Sequence, residues 1–141
     1  MKKKTTIKTG LMLGSIVLLL AAVLLAGCSL SGETIRDRIG KFIDAVNSGD
    51  EQGIKDCLDP TATMYNTAST TDLWNTYFPN RPYSIVSCII SGNTATVGFD
   101  PMGTGSTLSY VFEMTENKPT FLGGTTYSVR RISNNGTAFF Y

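Results

Sequence analysis

Apolar residues recur along the chain in three rhythms, each marking a different part. From Leu11 to Gly27 they form an almost unbroken run, LMLGSIVLLLAAVLLAG, interrupted by Ser15. Between Ile35 and Val46 they fall at i, i+4, i+7, i+8 and i+11 (Ile35, Ile39, Phe42, Ile43, Val46), which is one stripe of an amphipathic helix. From Tyr83 onward apolar and polar positions alternate, the rhythm of β-strands.

These rhythms and the turn residues between them predict the elements. A first helix runs from about Glu33 to Ser48, with Arg36, Arg38, Lys41 and Asp44 off the stripe as a solvated face. Gly49 is placed to end it as a C′ glycine, and Asp50 to cap a short second helix, Glu51 to Leu58, which Asp59-Pro60 terminates. Thr61 to Ser69 reads as irregular. Thr71 then caps a third short helix, Asp72 to Phe78, closed by Pro79 and Pro82. In the next segment Val86, Cys88 and Ile90 point one way and Ile85 and Ile89 the other, so this strand is expected to be covered on both faces. Ser91-Gly92-Asn93 turns the chain into Ala95, Val97 and Phe99, and Asp100 to Gly103 makes a second break. Leu108, Tyr110, Phe112 and Met114 alternate next, and Glu116 to Pro119 turns them back into Thr120-Phe121-Leu122. Tyr127, Val129 and Arg131 alternate in turn, and Asn134-Asn135-Gly136 leads to a last strand, Thr137 to Tyr141. Helices followed by an antiparallel meander give an α+β fold, with the N-terminal helices packed on a curved sheet of about four to six strands.

Length changes the picture little: 141 residues allow one domain. Charge changes it more. Lys2, Lys3, Lys4 and Lys8 supply four of the twelve basic residues, and residues 1–27 hold no acid. The rest of the chain is net acidic, a poor partner for nucleic acid, which calls for clustered Lys and Arg. A basic start, an apolar run and small residues at its end make a secretory signal. At that end stands Leu25-Ala26-Gly27-Cys28, which resembles the bacterial lipobox throughout. The resemblance implies a lipoprotein signal peptide over residues 1–27, cleavage between Gly27 and Cys28, and diacylglyceryl transfer to the Cys28 thiol. Residues 28–32 then form a tether and 33–141 the domain, held to a membrane on its extracytoplasmic face. Acyl chains contribute about 0.8 kcal/mol per buried methylene, so two or three anchor such a domain stably. As an uncleaved helix the apolar run would span only about 25 Å, a little short of a ~30 Å hydrocarbon core.

With Cys28 lipidated, Cys57 and Cys88 remain. Paired, they would close a loop worth roughly 3–4 kcal/mol; unpaired, they are small hydrophobes of the core. Both readings stay open. The chain has no histidine, the commonest general acid–base and metal ligand, and two cysteines are too few for zinc. No metal and no cofactor is expected.

The segment Ile35 to Asp50, ending Ala45-Val46-Asn47-Ser48-Gly49-Asp50, with the short helix to Leu58-Asp59-Pro60 after it, resembles the opening of the nuclear-transport-factor-2-like superfamily. The resemblance implies a curved sheet wrapping the first helix into a cone, over Glu33 to about Ile132. It also implies a choice of functions: a binding domain, an isomerase or cyclase, or an assembly module that dimerises through its sheet. An isomerase needs a carboxylate base and an acid partner. Asp100 precedes a proline, Glu116 sits in a turn, and Glu113 is out of phase with the apolar face, so a non-catalytic domain is the expectation. Tyr65, Trp74, Tyr77, Tyr110 and Phe112 are the candidates for a pocket at the mouth of a cone, taking a small apolar ligand. An envelope protein or a second copy of the chain is the other partner expected. Arg130 and Arg131 are adjacent on a strand, so one at most can face inward to meet an anion, and the simpler expectation is that both reach solvent.

Overall fold

The computed structural model describes residues 32–67, 71–118 and 124–141, within one of the two units into which the chain divides, Ser31–Tyr141. The leader, Cys28 and the Thr120-Phe121-Leu122 strand lie outside the described residues. Helix α1 spans Ile35–Ser48. Thr34 caps it: its hydroxyl accepts from the Asp37 N–H at 3.1 Å, and the Asp37 carboxylate accepts from the Thr34 N–H at 3.0 Å. This reciprocal capping satisfies two backbone donors that the helix itself cannot. Gly49 ends the helix at φ 71°, a left-handed conformation that costs glycine little. Asp50 then caps α2, Glu51–Cys57, by accepting from the Gly53 N–H at 2.9 Å. Helix α3 is Thr71–Tyr77.

The five strands are β1 (Tyr83–Ser91), β2 (Thr94–Pro101), β3 (Leu108–Asn117), β4 (Thr126–Asn134) and β5 (Thr137–Phe140). They form one antiparallel sheet in chain order. The fold is therefore α+β, three helices on a five-stranded open sheet. Register shifts interrupt the β1–β2, β3–β4 and β4–β5 ladders, and such bulges bend and twist a sheet. Helix α1 packs on β4, β1 and α2. Its Ile39, Phe42, Ile43 and Val46 meet Ala95, Val97, Phe99, Phe112, Val129 and Ile132 from the sheet in one buried core. Rings dominate that core. Phe42 meets Trp74, Phe78 and Phe112 edge-on at centroid distances of 5.3, 6.0 and 5.9 Å, a favoured aromatic geometry.

Polar links fix how α1 sits. The Asn47 amide donates to the Tyr83 carbonyl at 2.9 Å and accepts from its N–H at 2.8 Å, joining the end of α1 to the start of β1. Arg81 donates to the Val46 carbonyl at 2.6 Å and to the Phe78 carbonyl at 3.3 Å, serving the ends of two helices. At the other end of α1, the nearly buried Glu33 carboxylate binds Arg38 and Lys41, each at 2.7 Å, and accepts from the Tyr127 N–H at 3.3 Å. Gly32 runs so close to Thr125 that a β-carbon would come within 2.6 Å of its backbone.

Three expectations need correction. Strand β1 is not covered on both faces: it is an edge strand, and Val86 and the adjacent Ile89 and Ile90, which point to opposite faces, are all exposed. Arg38 does not belong to a solvated face, because its guanidinium turns to Glu33 and to the Asp56 carbonyl. The alternation Tyr127, Val129, Arg131 breaks at Arg130, where the β3–β4 register shifts, so that Ile132 rather than Arg131 follows Val129 into the core.

Candidate functional site

The residues expected to line an apolar pocket are brought together, but as core. Trp74, Tyr110 and Phe112 are fully buried. Phe78 stacks on Tyr110 at 5.1 Å, and the Tyr110 hydroxyl donates to the Tyr77 carbonyl at 3.0 Å, pinning α3 to β3. Burial, with the neighbouring Tyr83, pushes the Tyr110 hydroxyl up to about 12. Tyr77 lies at the surface, stacked on Phe139 at 4.1 Å, and Tyr65 sits apart beneath the Lys55 ammonium at 5.1 Å. Neither of the two hollows described below is lined by any of these five residues.

Cys57 and Cys88 are both free thiols, the unpaired one of the two readings. The strand order gives the reason. Cys57 ends α2, beside the Leu58–Val129 bridge to β4, whereas Cys88 lies on β1, three strands away. At about 4.8 Å per strand that separation far exceeds disulfide reach. Burial pushes the Cys57 thiol up, the opposite direction from the shift that activates a thiol.

The carboxylates are separately engaged. Asp100 accepts from the Gly105 N–H at 3.1 Å and from the Thr104 hydroxyl, holding the loop after β2. Glu116 is exposed at the end of β3. Asp59 is buried, and burial pushes its carboxyl up. The hydroxyls of Thr115 and Thr61, the Thr61 N–H and the charge of Arg130 together outweigh burial and hold it below the usual range. Among the described residues no cluster of three or more potential ligands could hold a metal ion.

What sequence reasoning missed is a concavity of about 560 Å³, lined by Thr61, Ala62, Thr63, Glu113, Arg130, Arg131, Ala138 and Tyr141. The β4 bulge makes it. Arg131 pairs with Glu113 and Val129 with Met114, leaving Arg130 as the extra residue. Neighbours on a regular strand point to opposite faces, but here both arginines line one hollow. It opens on the sheet face away from the helices, since Phe112, next to Glu113, is buried against α1. Arg131 reaches Glu113 at 3.2 Å, with both side chains about half exposed, while its Nε is buried without an acceptor. The available signal was the odd spacing of Val129 and Ile132, since two inward residues three apart on a strand require a bulge between them. A second, shallower hollow follows the outer face of α1, along Arg36, Gly40, Lys41 and Asp44.

Compared with family models, curated proteins and solved structures, the chain matches none. Among the described residues no helix is long and apolar enough to cross a membrane.

Proposed function

We propose that this chain is a bacterial lipoprotein: a cell-envelope binding domain, without catalysis of its own, held on the extracytoplasmic face of a membrane by a lipid on Cys28. The observation that carries this reading is Leu25-Ala26-Gly27-Cys28 at the end of an apolar run behind four lysines. The ordered domain supports it, because α1 is capped at Thr34, six residues beyond the cysteine. That spacing leaves a tether of a few residues between membrane and fold. The α+β arrangement agrees with the resemblance to the nuclear-transport-factor-2-like superfamily. The separate engagement of Glu33, Asp59, Asp100 and Glu113 favours binding over proton transfer, which needs a carboxylate and its acid partner in one site.

Fatty-acid labelling of the expressed chain tests the anchor. The wild type should incorporate label and sediment with membranes, and Cys28→Ala should do neither while keeping its leader. Labelling and processing that survive Cys28→Ala would overturn the reading. A second reading, an assembly module dimerising through the sheet, is favoured by exposed Val86, Ile89 and Ile90 on the edge strand. Sedimentation of the full chain in detergent decides it: a monomer at high concentration removes it.

A further inference from the structure

A bulge turns two guanidiniums into one hollow, where the carboxylates of Glu113 and Asp59 lie beside them. Arg131 spends one nitrogen on Glu113. Its Nε is buried without an acceptor, a cost that a ligand oxygen would relieve. Arg130, exposed at the rim, makes no hydrogen bond or ion pair among the described residues. The carboxylates of Glu113, paired with Arg131, and of Asp59, which feels the charge of Arg130, balance the two cations, so what the hollow offers is guanidinium donors rather than net charge. Beneath it, the Asp59 carboxylate is committed to Thr61 and Thr115. The remaining walls are Thr63, whose hydroxyl is free among the described residues, and the apolar surfaces of Ala62, Ala138 and Tyr141.

We propose that this hollow binds a small organic monocarboxylate, its carboxylate held between Arg130 and Arg131 and its apolar body resting on Ala62, Ala138 and Tyr141. The planar fork of a guanidinium matches a carboxylate with two parallel hydrogen bonds. A small swing of the half-exposed Arg131 brings its Nε onto a ligand oxygen. A dianion such as a phosphate monoester fits less well, because the carboxylates of Glu113 and Asp59 repel it more strongly than they repel a monoanion. The volume, about 560 Å³, lies in the range of small-molecule sites and exceeds what a bare ion needs. The inference rests on reading the domain as a binding domain and is independent of the lipid anchor. Failure at Cys28 therefore leaves it standing, and its own failure leaves the anchor standing.

The test uses the full chain, labelled with ¹⁵N and held in detergent, with the arginine Nε–H signals as readout. Benzoate is the probe, inorganic phosphate at matched ionic strength the competitor, and benzyl alcohol the neutral control. Benzoate should shift the Arg130 and Arg131 signals saturably, at least tenfold more tightly than phosphate, and benzyl alcohol should not move them. Arg130→Ala and Arg131→Ala should each weaken benzoate at least tenfold, while Arg36→Ala, on the outer face of α1, leaves it unchanged. Glu113→Gln removes the competing carboxylate and should tighten benzoate several-fold, a gain that a purely structural ion pair would not give. If Arg131→Ala disturbs the fold by circular dichroism, Arg131→Lys, which keeps the charge without the fork, should show the weakening instead. Non-saturating shifts, equal binding of phosphate, or benzoate binding that survives Arg130→Ala or weakens in Glu113→Gln would overturn the proposal.

Discussion

The two faces of the sheet are built from the same strands, one residue out of phase, and share almost nothing chemically. Toward the helices stand Ala95, Val97, Phe99, Tyr110, Phe112 and Met114, all buried. Away from them stand Thr96, Ser109, Val111, Glu113 and Ser133, half-buried or exposed. The first face holds the fold, because burying a large apolar side chain contributes about 1.5–3 kcal/mol. The second contributes little to stability, and for that reason it can carry a bulge and a hollow lined by two arginines.

Adjacent residues on β3 make the sharpest test. Phe112→Ala empties a fully buried site beside Phe42 and Phe99 and should cost about 3–5 kcal/mol, a large share of the ~5–15 kcal/mol that holds a domain together. Val111→Ala, one position along on the other face, should cost less than about 1 kcal/mol. Urea midpoints read both, and equal losses would break the contrast between the faces. Next in size is Asn47→Ala, which strands the N–H and carbonyl of Tyr83 and should cost about 2 kcal/mol. Asn47→Asp can still accept but not donate, so about half the loss should return when the Asp variant replaces the Ala variant.

Acid acts on the links around the core rather than on the core itself. Burial pushes the Glu33 carboxyl up, but the hydrogen bonds of Lys41, the Tyr127 N–H and Arg38, with the charge of Arg38, together hold it below its ordinary 4.5. Asp59 is likewise held below 3.8. A carboxyl whose folded value is depressed stabilises the fold fully above its unfolded value, and that contribution is lost as pH falls through the folded one. Stability should therefore be flat from pH 7 to about 5 as far as these two groups decide it, then fall below pH 4. Glu33→Gln should start lower at pH 7 and fall less steeply, as denaturation midpoints across that range would show. An unchanged acid slope would mean that Glu33 does not join α1 to β4 in solution.

The helical half was legible because its signals are local. The stripe from Ile35 to Val46, the glycine at 49 and the aspartate at 50 each act within a turn or two, and the structure places α1 and α2 within a residue or two of the reading. The sheet was legible only as far as strict alternation held. Apolar residues on both sides of β1 imply a buried strand, yet whether a strand is central or at an edge is a property of its neighbours, not of its own pattern. A bulge is worse, since one inserted residue at Arg130 moves everything after it to the other phase. The arginine hollow was hidden for the same reason, and the candidate aromatics read either way, because rings that cluster in sequence can close on each other as easily as on a ligand. Loop length said nothing of three intervening strands between Cys57 and Cys88.

The smallest effect expected is also the most informative about the open face. Ile39 and Ile89 are the same side chain, one fully buried in α1 and one 69% exposed on β1. Ile89→Lys removes no core contact, so the urea midpoint should stay within about 0.5 kcal/mol of wild type. What should change is association. Strand β1 runs nine residues from Tyr83 to Ser91 without a charge or a proline, the kind of edge that pairs with other strands, and natural sheets protect such edges with an outward lysine. Light scattering of the concentrated full chain in detergent should fall with Ile89→Lys while stability holds. A large loss of stability would place Ile89 under cover. It would also mean that the open face carries part of the fold after all.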